Sequence, residues 1–372
     1  MKIVSIEARP IRLPRDIAAA TGTAGSPTLL VPCAGDYRWS QIYPCLYSVN
    51  FETALVRITT DSGIAGWGEA QAPLAPEVAC AIIDRLLAPW LIGTELDATP
   101  EGIEALWNRM YATMRVRGQT GGFMVDAISA IDIALWDLAG KASGQPVCAL
   151  LSSAAKNRIP AYLSGLPAED SDAKGFDKVK LFYDTRTPEE FWPRMDSMKG
   201  ARVAVDALWR HTPESALAFG RELDSRGALW FEAPLPPEDP CAHGELAARL
   251  ATPIAIGESY RTRHEMAPFF RTRALSVFQP DLGRCGITEG MRLARLAADA
   301  DAAIVPHISI ALGPQIAAAL HFAAAVPECR LAEYNPQVLA VANRFLEEPL
   351  RLDGTSYVVP DGPGLGIGVH TP

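Results

Sequence analysis

From residue 158 onward, short apolar runs alternate with stretches of helical spacing. The runs are rich in β-branched and aromatic residues, which favour strands, and stretches such as PESALAFGRELDSRG and GITEGMRLARLAADADA have the apolar spacing of amphipathic helices. The apolar runs are RIPAYLSG, KVKLFY, ARVAVDAL, ALWFEAP, TPIAIGES, LSVFQPDL, AAIVPHIS and RLAEYN. Eight strand–helix repeats over roughly 200 residues predict an α/β fold of the TIM-type (β/α) barrel class.

The first 125 residues show a mixed pattern. MKIVSIEARPIRL, TALVRITT and GIAGWGEA predict antiparallel strands with a hairpin turn at Asp61–Gly63. PEVACAIIDRLLAPWLIG and PEGIEALWNRMYATMR predict amphipathic helices, each begun by Pro and an acid. We therefore expect an α+β domain at 1–125, a barrel domain at 126–345 that opens with the acid-started helix DAISAIDIALWDLAGKASG, and a tail at 346–372.

A long segment between the first two strands, Ala18–Tyr43, is rich in Gly, Pro, Thr and Ser. A loop of that length is uncommon unless it is functional or disordered, so it predicts a lid. Tyr37, Trp39 and Tyr43 are candidate lid contacts to a substrate, and plain loop packing is the alternative for them.

Seven ionisable residues recur near the C-terminal ends of the predicted barrel strands, at intervals of 26, 26, 26, 23, 26 and 26. Singly, an acid at a strand end is usually a helix cap or a solvated charge, and a histidine in an apolar strand is usually a core residue. Together and in phase with the barrel repeat, they predict convergence on the rim where this fold places its active sites. The residues are Lys180, Asp206, Glu232, Glu258, Asp281, His307 and Glu333.

Three of these residues, Asp206, Glu232 and Glu258, come from adjacent strands. Three carboxylates so close together repel one another unless a cation neutralises them. Oxygen ligands with room left for water and substrate suit Mg²⁺, so the sequence predicts a magnesium site.

The stretch DKVKLFYD places Lys178 and Lys180 on one face of a strand. Arginine cannot act as a base, whereas lysine can if a neighbouring cation lowers its pKa. We expect Lys180 to take a proton and Lys178 to contact a substrate carboxylate, which with Mg²⁺ would leave the site net positive. An ordinary exposed edge strand is the alternative for this lysine pair alone.

Asp281 and His307 lie on consecutive predicted strands. A carboxylate beside an imidazole fixes its tautomer, so we expect a second acid/base group across the rim from Lys180, or a structural hydrogen bond. Glu333 on the last strand is either a protonated donor to a developing oxyanion or part of an ion pair. These parts together suit removal of a proton α to a carboxylate.

Composition narrows the classes of partner. A formal charge of −9 argues against nucleic acid or an anionic membrane, and the apolar stretch Ile304–Pro327 is interrupted too often to predict a membrane span. The N-terminus lacks the apolar core of a signal peptide. Seven scattered cysteines are expected to be reduced thiols, which favours a cytoplasmic protein.

These motifs resemble the enolase superfamily, in its mandelate racemase subgroup, over nearly the whole chain. TDSGIAGWGEA is similar to the family's capping-domain hairpin, and AISAIDIALWDLAGKASGQPV to the helix that enters the barrel. KVK resembles the K-x-K base motif, VDA, FEAP and GES the metal-ligand strands, QPDLGRCG and VPH the Asp–His dyad, and AEYNP the last-strand glutamate. Asp281 stands where the muconate-lactonizing and dipeptide-epimerase subgroups carry a lysine. The chain departs from the family at Leu208, where Asn is frequent, and in GRCGIT, which lacks one of two paired glycines.

The resemblance implies an Mg²⁺-dependent enzyme whose 1–125 domain and C-terminal tail cap the barrel and set specificity. It also implies a homo-oligomer, either dimer or octamer, that acts on a small carboxylate. VPHISIALGPQIAAALHFAAA and DGPGLGIGV resemble acid-sugar dehydratases and galactarolactone cycloisomerases. Dehydration of a sugar acid is the first expectation. The alternatives are a racemase or epimerase that pairs Lys180 with His307, an aldarolactone cycloisomerase with one base, and a barrel that binds a sugar acid without catalysis.

Overall fold

The computed structural model describes residues 1–14, 30–42, 45–165 and 174–370. The strands are β1 (Ile3–Pro14), β2 (Leu30–Pro32), β3 (Tyr37–Ser40), β4 (Leu46–Ser48), β5 (Asn50–Thr60), β6 (Ala65–Ala70), β7 (Arg158–Leu163), β8 (Lys178–Phe182), β9 (Arg202–Asp206), β10 (Phe231–Glu232), β11 (Ile254–Ile256), β12 (Val277–Phe278), β13 (Ala303–Ile304), β14 (Ala332–Tyr334), β15 (Leu352–Asp353) and β16 (Ser356–Val358). The helices are α1 (Glu77–Ile82), α2 (Ala88–Leu91), α3 (Pro100–Arg115), α4 (Gly122–Ser143), α5 (Val147–Leu151), α6 (Pro188–Ser197), α7 (Pro213–Arg226), α8 (Pro240–Ala247), α9 (Arg263–Arg271), α10 (Leu282–Asp299), α11 (Pro314–Ala325) and α12 (Pro336–Ala342). A π-helical segment, Ile83–Leu87, joins α1 to α2.

The eight predicted apolar runs form the eight parallel strands β7–β14. Each of β7 to β12 pairs with the next strand, and β14 pairs back onto β7. A bridge from Ile304 to Cys329 links β13 to the segment before β14, so the ring closes. The predicted TIM-type barrel is confirmed. Helices follow β8 to β14, whereas the described residues between β7 and β8 (164–165 and 174–177) are not helical.

The N-terminal sheet matches its prediction closely. β1 pairs antiparallel with β5, and β5 with β6, around the turn at Asp61–Gly63. The long helix α4 differs at its start, because it begins at Gly122, ahead of the expected acid. Asp126 is an interior residue of α4, is buried, and pairs with Arg261 at 2.9 Å. The expected boundary between 125 and 126 therefore falls within this helix.

Helix α4 is the element on which the capping sheet rests. Two glycines of β6 allow the close approach: an added Cβ at Gly68 would lie 1.9 Å from the Ala130 carbonyl oxygen, and one at Gly66 would lie 2.3 Å from that of Ala134. On another side of α4, the Ser129 hydroxyl donates to the carbonyl of Gly283 at 2.7 Å. Because α4 contacts both sides, it fixes the cap against the barrel rim.

The C-terminal tail returns to the same helix. The backbone N–H of Leu365 donates to Asp137 of α4 at 2.8 Å, and β16 pairs antiparallel with the first barrel strand. The seven cysteines are all free thiols. Within the described ranges, no helix combines the length and the apolarity that crossing a membrane requires.

Gly68→Ala is expected to lower the free energy of unfolding by about 1–3 kcal/mol, because its methyl group meets helix backbone that cannot turn aside. Gly63→Ala in the adjoining hairpin is the control. It has open space around it and a φ of 82°, so it carries a backbone cost alone, about 1 kcal/mol. Denaturant titration of both variants measures the difference, and a Gly68→Ala cost no larger than that of Gly63→Ala would contradict the packing described for β6.

Candidate active site

Three carboxylates meet at the C-terminal rim of the barrel. Asp206 and Glu232 end β9 and β10 at the same level in the strand register, and Glu258 follows β11. Asp206, Glu232 and Glu258 each offer a carboxylate oxygen within 4.8 Å of the others. Oxygen donors at that spacing match the ligand preference of a hard divalent cation, so the residues present fit Mg²⁺.

Neighbouring side chains hold these carboxylates in place. Glu232 accepts hydrogen bonds from the Trp230 indole at 2.9 Å and from the Gln279 amide at 2.7 Å. The Trp209 indole donates to Glu258 at 2.9 Å. Partners of this kind orient metal ligands. Trp209 follows Leu208, the departure from the family pattern, and its support of a ligand had no signal in the sequence.

The same crowding disfavours ionisation of Asp206. Burial raises the pKa of Asp206 well above its usual value, the Glu232 charge adds to this, and Lys180 acts in the opposite direction. A cation among the three carboxylates would relieve this repulsion.

Lys180 is buried among these acids. Its ammonium lies 2.8 Å from Glu232, 2.9 Å from Glu333 and 3.7 Å from Asp206, with 1% of the side chain exposed. Burial lowers the pKa of Lys180, but the surrounding carboxylates, Glu232 first, outweigh it and raise the pKa well above its usual value. These ion pairs favour the ammonium form of Lys180. The expected lowering of its pKa depended on Lys178 and on a bound metal ion, and the role of Lys180 as a base stays a prediction.

The register of β8 places the backbone of both lysines below the rim, and only the Lys180 side chain extends to the carboxylates. Phe182 is the residue that pairs with Asp206, while Lys180 pairs with Ala204, one inward-facing layer deeper. Lys178 lies deeper still, at the start of the strand, where its ammonium bonds Asp177. The structure therefore does not bring Lys178 to the other predicted site residues.

The predicted dyad does come together. Asp281 accepts from Nδ1 of His307 at 2.8 Å, and its other oxygen accepts from the Gly283 N–H and the Gln315 amide. Nε2 of His307 lies 3.1 Å from Glu258. Burial lowers the pKa of His307, but the hydrogen bond to Asp281 and the charges of Glu258 and Glu333 outweigh it, raising the pKa to about 9.

Glu333 forms the ion pair that was the alternative to a protonated donor. It pairs with Lys180, and it also accepts from the Ile308 N–H at 3.1 Å. Burial raises the pKa of Glu333, but Lys180 and then His307 outweigh it, so the pKa is lowered to about 2. An ionised Glu333 cannot donate a hydrogen bond to an oxyanion.

The charge balance at the rim consequently differs from the expected one. Asp206, Glu232, Glu258 and Glu333 carry four formal negative charges, and Lys180 brings one positive charge. A divalent cation would leave this group net negative, because Lys178 is absent from it and Glu333 is ionised. A net positive site, as expected from the sequence, needs a further cation.

A cavity of about 400 Å³ opens beside this group, in the size range of small-molecule sites. The barrel contributes Asp206, Glu258, His307, Glu333, Phe182 and Arg284 to its wall, and the cap contributes 45–48 and Gln71. Neither Lys178 nor Lys180 lines it.

The predicted lid contributes less to the cavity wall than expected. Residues 18–29 and Tyr43 lie outside the described residues. The Tyr37 hydroxyl donates to Glu52 and accepts from the Ala75 N–H, which is plain packing, and Trp39 does not line the cavity. The lining comes instead from β4, just beyond the predicted lid.

Two family models match the chain. Residues 47–152 match the mandelate racemase / muconate lactonizing enzyme N-terminal domain, and residues 167–371 match the enolase C-terminal domain-like model. Together they span most of the sequence.

Relatives and solved structures agree with these matches. The chain is 32% identical to a D-galactarolactone cycloisomerase of Agrobacterium fabrum, over 85% of this chain and 88% of that one. It is 31% identical to an arabinonate dehydratase of Saccharolobus solfataricus, over 86% and 88%. A solved member of the enolase superfamily from Agrobacterium tumefaciens superposes with a TM-score of 0.90 at 30% identity, covering 99% of this chain and 96% of that one.

Asp206→Asn is expected to weaken Mg²⁺ binding by more than the roughly 10- to 100-fold typical of changes in residues that merely support a ligand. The reason is that it removes one of three anionic donors. Calorimetric titration with Mg²⁺ measures the affinity, and Glu245→Gln, an exposed carboxylate on α8, is the control. Unchanged binding by the Asp206 variant would place the ion elsewhere.

Proposed function

The chain belongs to the mandelate racemase / muconate lactonizing enzyme family of the enolase superfamily, and from that premise we propose that it is a magnesium-dependent dehydratase of a sugar acid. The family's mechanism is metal-dependent abstraction of a proton α to a carboxylate, which makes the chain a lyase or an isomerase. One observation carries the proposal: Asp206 and Glu258 of the carboxylate triad border the same cavity as His307 of the dyad, with Glu258 and His307 3.1 Å apart.

Asp206, Glu232 and Glu258 are proposed to hold the ion. Mg²⁺, when bound there, supplies positive charge that stabilises the enediolate left by proton removal. Trp209, Trp230 and Gln279 keep the carboxylates oriented through the hydrogen bonds described above.

His307 is proposed to move the proton. Asp281 holds Nδ1, which leaves Nε2 as the nitrogen that exchanges protons with the substrate. The unprotonated ring takes the α-proton, and the imidazolium then returns a proton to the departing β-hydroxyl. Carbon–hydrogen and carbon–oxygen bonds break, a double bond forms, and water leaves, so one residue serves both steps.

Lys180 is proposed to act through its charge. It stays 2.8–2.9 Å from Glu232 and Glu333 and does not line the cavity, so it offsets the acids and is poorly placed to accept a proton. A racemase needs a second base on the opposite face of the substrate. Phe182 occupies the strand position level with Asp206 where Lys180 was expected, which gives that alternative less support.

An aldarolactone cycloisomerase is the second candidate. The cycloisomerase relative, at 32% identity, supports it. The proposed single base, His307, also supports it. The carbon–oxygen bond that breaks in a lactone releases a carboxylate, and this leaving group needs less help from an acid than a hydroxyl does. The oligomeric state and the cellular compartment stay predictions.

In a screen of sugar acids with Mg²⁺, we expect a 2-keto acid product from at least one of them. His307→Asn is expected to lower kcat by about 10²- to 10⁴-fold, the usual contribution of an acid/base group, while Mg²⁺ still binds. His370→Asn, on an exposed histidine, is the control. Full activity in the His307→Asn variant would rule out His307 as the acid/base group.

A second measurement tests the single base. When the substrate is partly converted in D₂O, recovered substrate is expected to keep its configuration at Cα, since protons enter and leave on the His307 side alone. Chiral chromatography and NMR follow this. Accumulation of the inverted epimer carrying deuterium would favour the racemase instead.

A further inference from the structure

A cation other than Lys180 lies in the cavity wall, apart from the cluster of carboxylates. Arg284 is on the first turn of α10 and lines the cavity. Its Nε is buried without a hydrogen-bond partner, and 19% of its side chain is exposed. Asp126 is the one carboxylate within 4.0 Å of it in the described part of the chain, and it lies at that limit.

Asp126 is shared with a second arginine. Both Nε and Nη2 of Arg261 donate to it, at 2.9 and 3.1 Å. Two guanidiniums thus face one carboxylate, which leaves a net positive charge on this wall of the cavity. Guanidinium is suited to this task, because its planar fork binds a carboxylate through two parallel hydrogen bonds.

The cap places an amide on the same wall. The backbone N–H of Gln71 donates to the carbonyl of Gly283, the residue before Arg284, at 2.9 Å. The Gln71 side chain is 2% exposed, lines the cavity, and its Oε1 has no partner. A buried acceptor without a partner is costly, so Oε1 points to a ligand group that donates a hydrogen bond, such as a substrate hydroxyl.

We propose that Arg284 anchors a subsite for a second carboxylate, with Gln71 accepting from a substrate hydroxyl beside it, so that the substrate is an aldarate or its lactone, with an acid at each end, and not an aldonate. This inference rests on the proposed function and names its substrate class. The first carboxylate would lie toward the triad and the second toward Arg284. An aldonate would bring a hydroxymethyl group there and leave the guanidinium without a counter-ion.

Binding, measured apart from turnover, tests the subsite. Mg²⁺-loaded His307→Asn protein is titrated by calorimetry with a six-carbon aldarate and with the aldonate of the same configuration. We expect the aldarate to bind at least about 10-fold more tightly. Adding Arg284→Gln should weaken aldarate binding by about 10- to 100-fold and aldonate binding by less than about 3-fold, the range expected for charge-assisted hydrogen bonds.

Two variants control for other effects. Arg295→Gln removes an exposed arginine from the same helix and should change neither affinity. Arg284→Lys keeps the charge without the fork and should give an intermediate loss. If Arg284→Gln does not fold by circular dichroism, Arg284→Met, which also removes the charge, takes its place, with the same selective loss expected.

The outcomes separate the two proposals. Equal affinity for both acids, equal losses in the variant, or no binding of either acid would overturn the subsite. Selective aldarate binding without a 2-keto product from any sugar acid would contradict the proposed dehydration and leave the subsite standing. Turnover of aldonates that Arg284→Gln does not affect would contradict the subsite and leave the proposed dehydration standing.

Discussion

The compensation of buried negative charge governs this molecule. The barrel gathers Asp206, Glu232, Glu258 and Glu333 at one rim, where burial makes each unpaired charge costly. Lys180 forms ion pairs with three of them. The remaining negative charge favours a divalent cation, so the proposed metal site and the position of the lysine have one physical cause.

This constraint also explains which parts of the site the sequence predicts. The triad and the dyad were predictable because parallel strands carry their C-terminal residues to one rim, and the spacing repeats with the fold. The depth of Lys180 in the barrel was not, because a count along the chain does not give the strand register. Lys180 keeps the interval of 26 residues to Asp206, yet lies one layer below it. Phe182, a residue without ionisable chemistry, takes the rim position and carries no signal in a search for acids and bases.

The fold shows the same division between local and long-range information. The strands, the turn at Asp61–Gly63 and the αL stop of helix α4 at Gly144 follow from local residue preferences. The true start of α4 did not, because Asp126 imitates a helix-initiating acid and in fact pairs with Arg261, 135 residues away. The glycines of β6 likewise gain their meaning only from the backbone of α4 packed against them.

Substrate choice can change in this architecture without disturbing the charged centre. Gln71 belongs to the cap and Arg284 to the barrel. A backbone hydrogen bond from Gln71 to Gly283 links the two chain segments that carry these residues. The Gly283 N–H in turn donates to Asp281, which orients His307. The seam between the domains therefore positions both the group proposed to move the proton and the groups proposed to hold the far end of the substrate. A change at residue 71 or 284 would alter what binds, while the triad, Lys180 and Glu333 keep their mutual contacts.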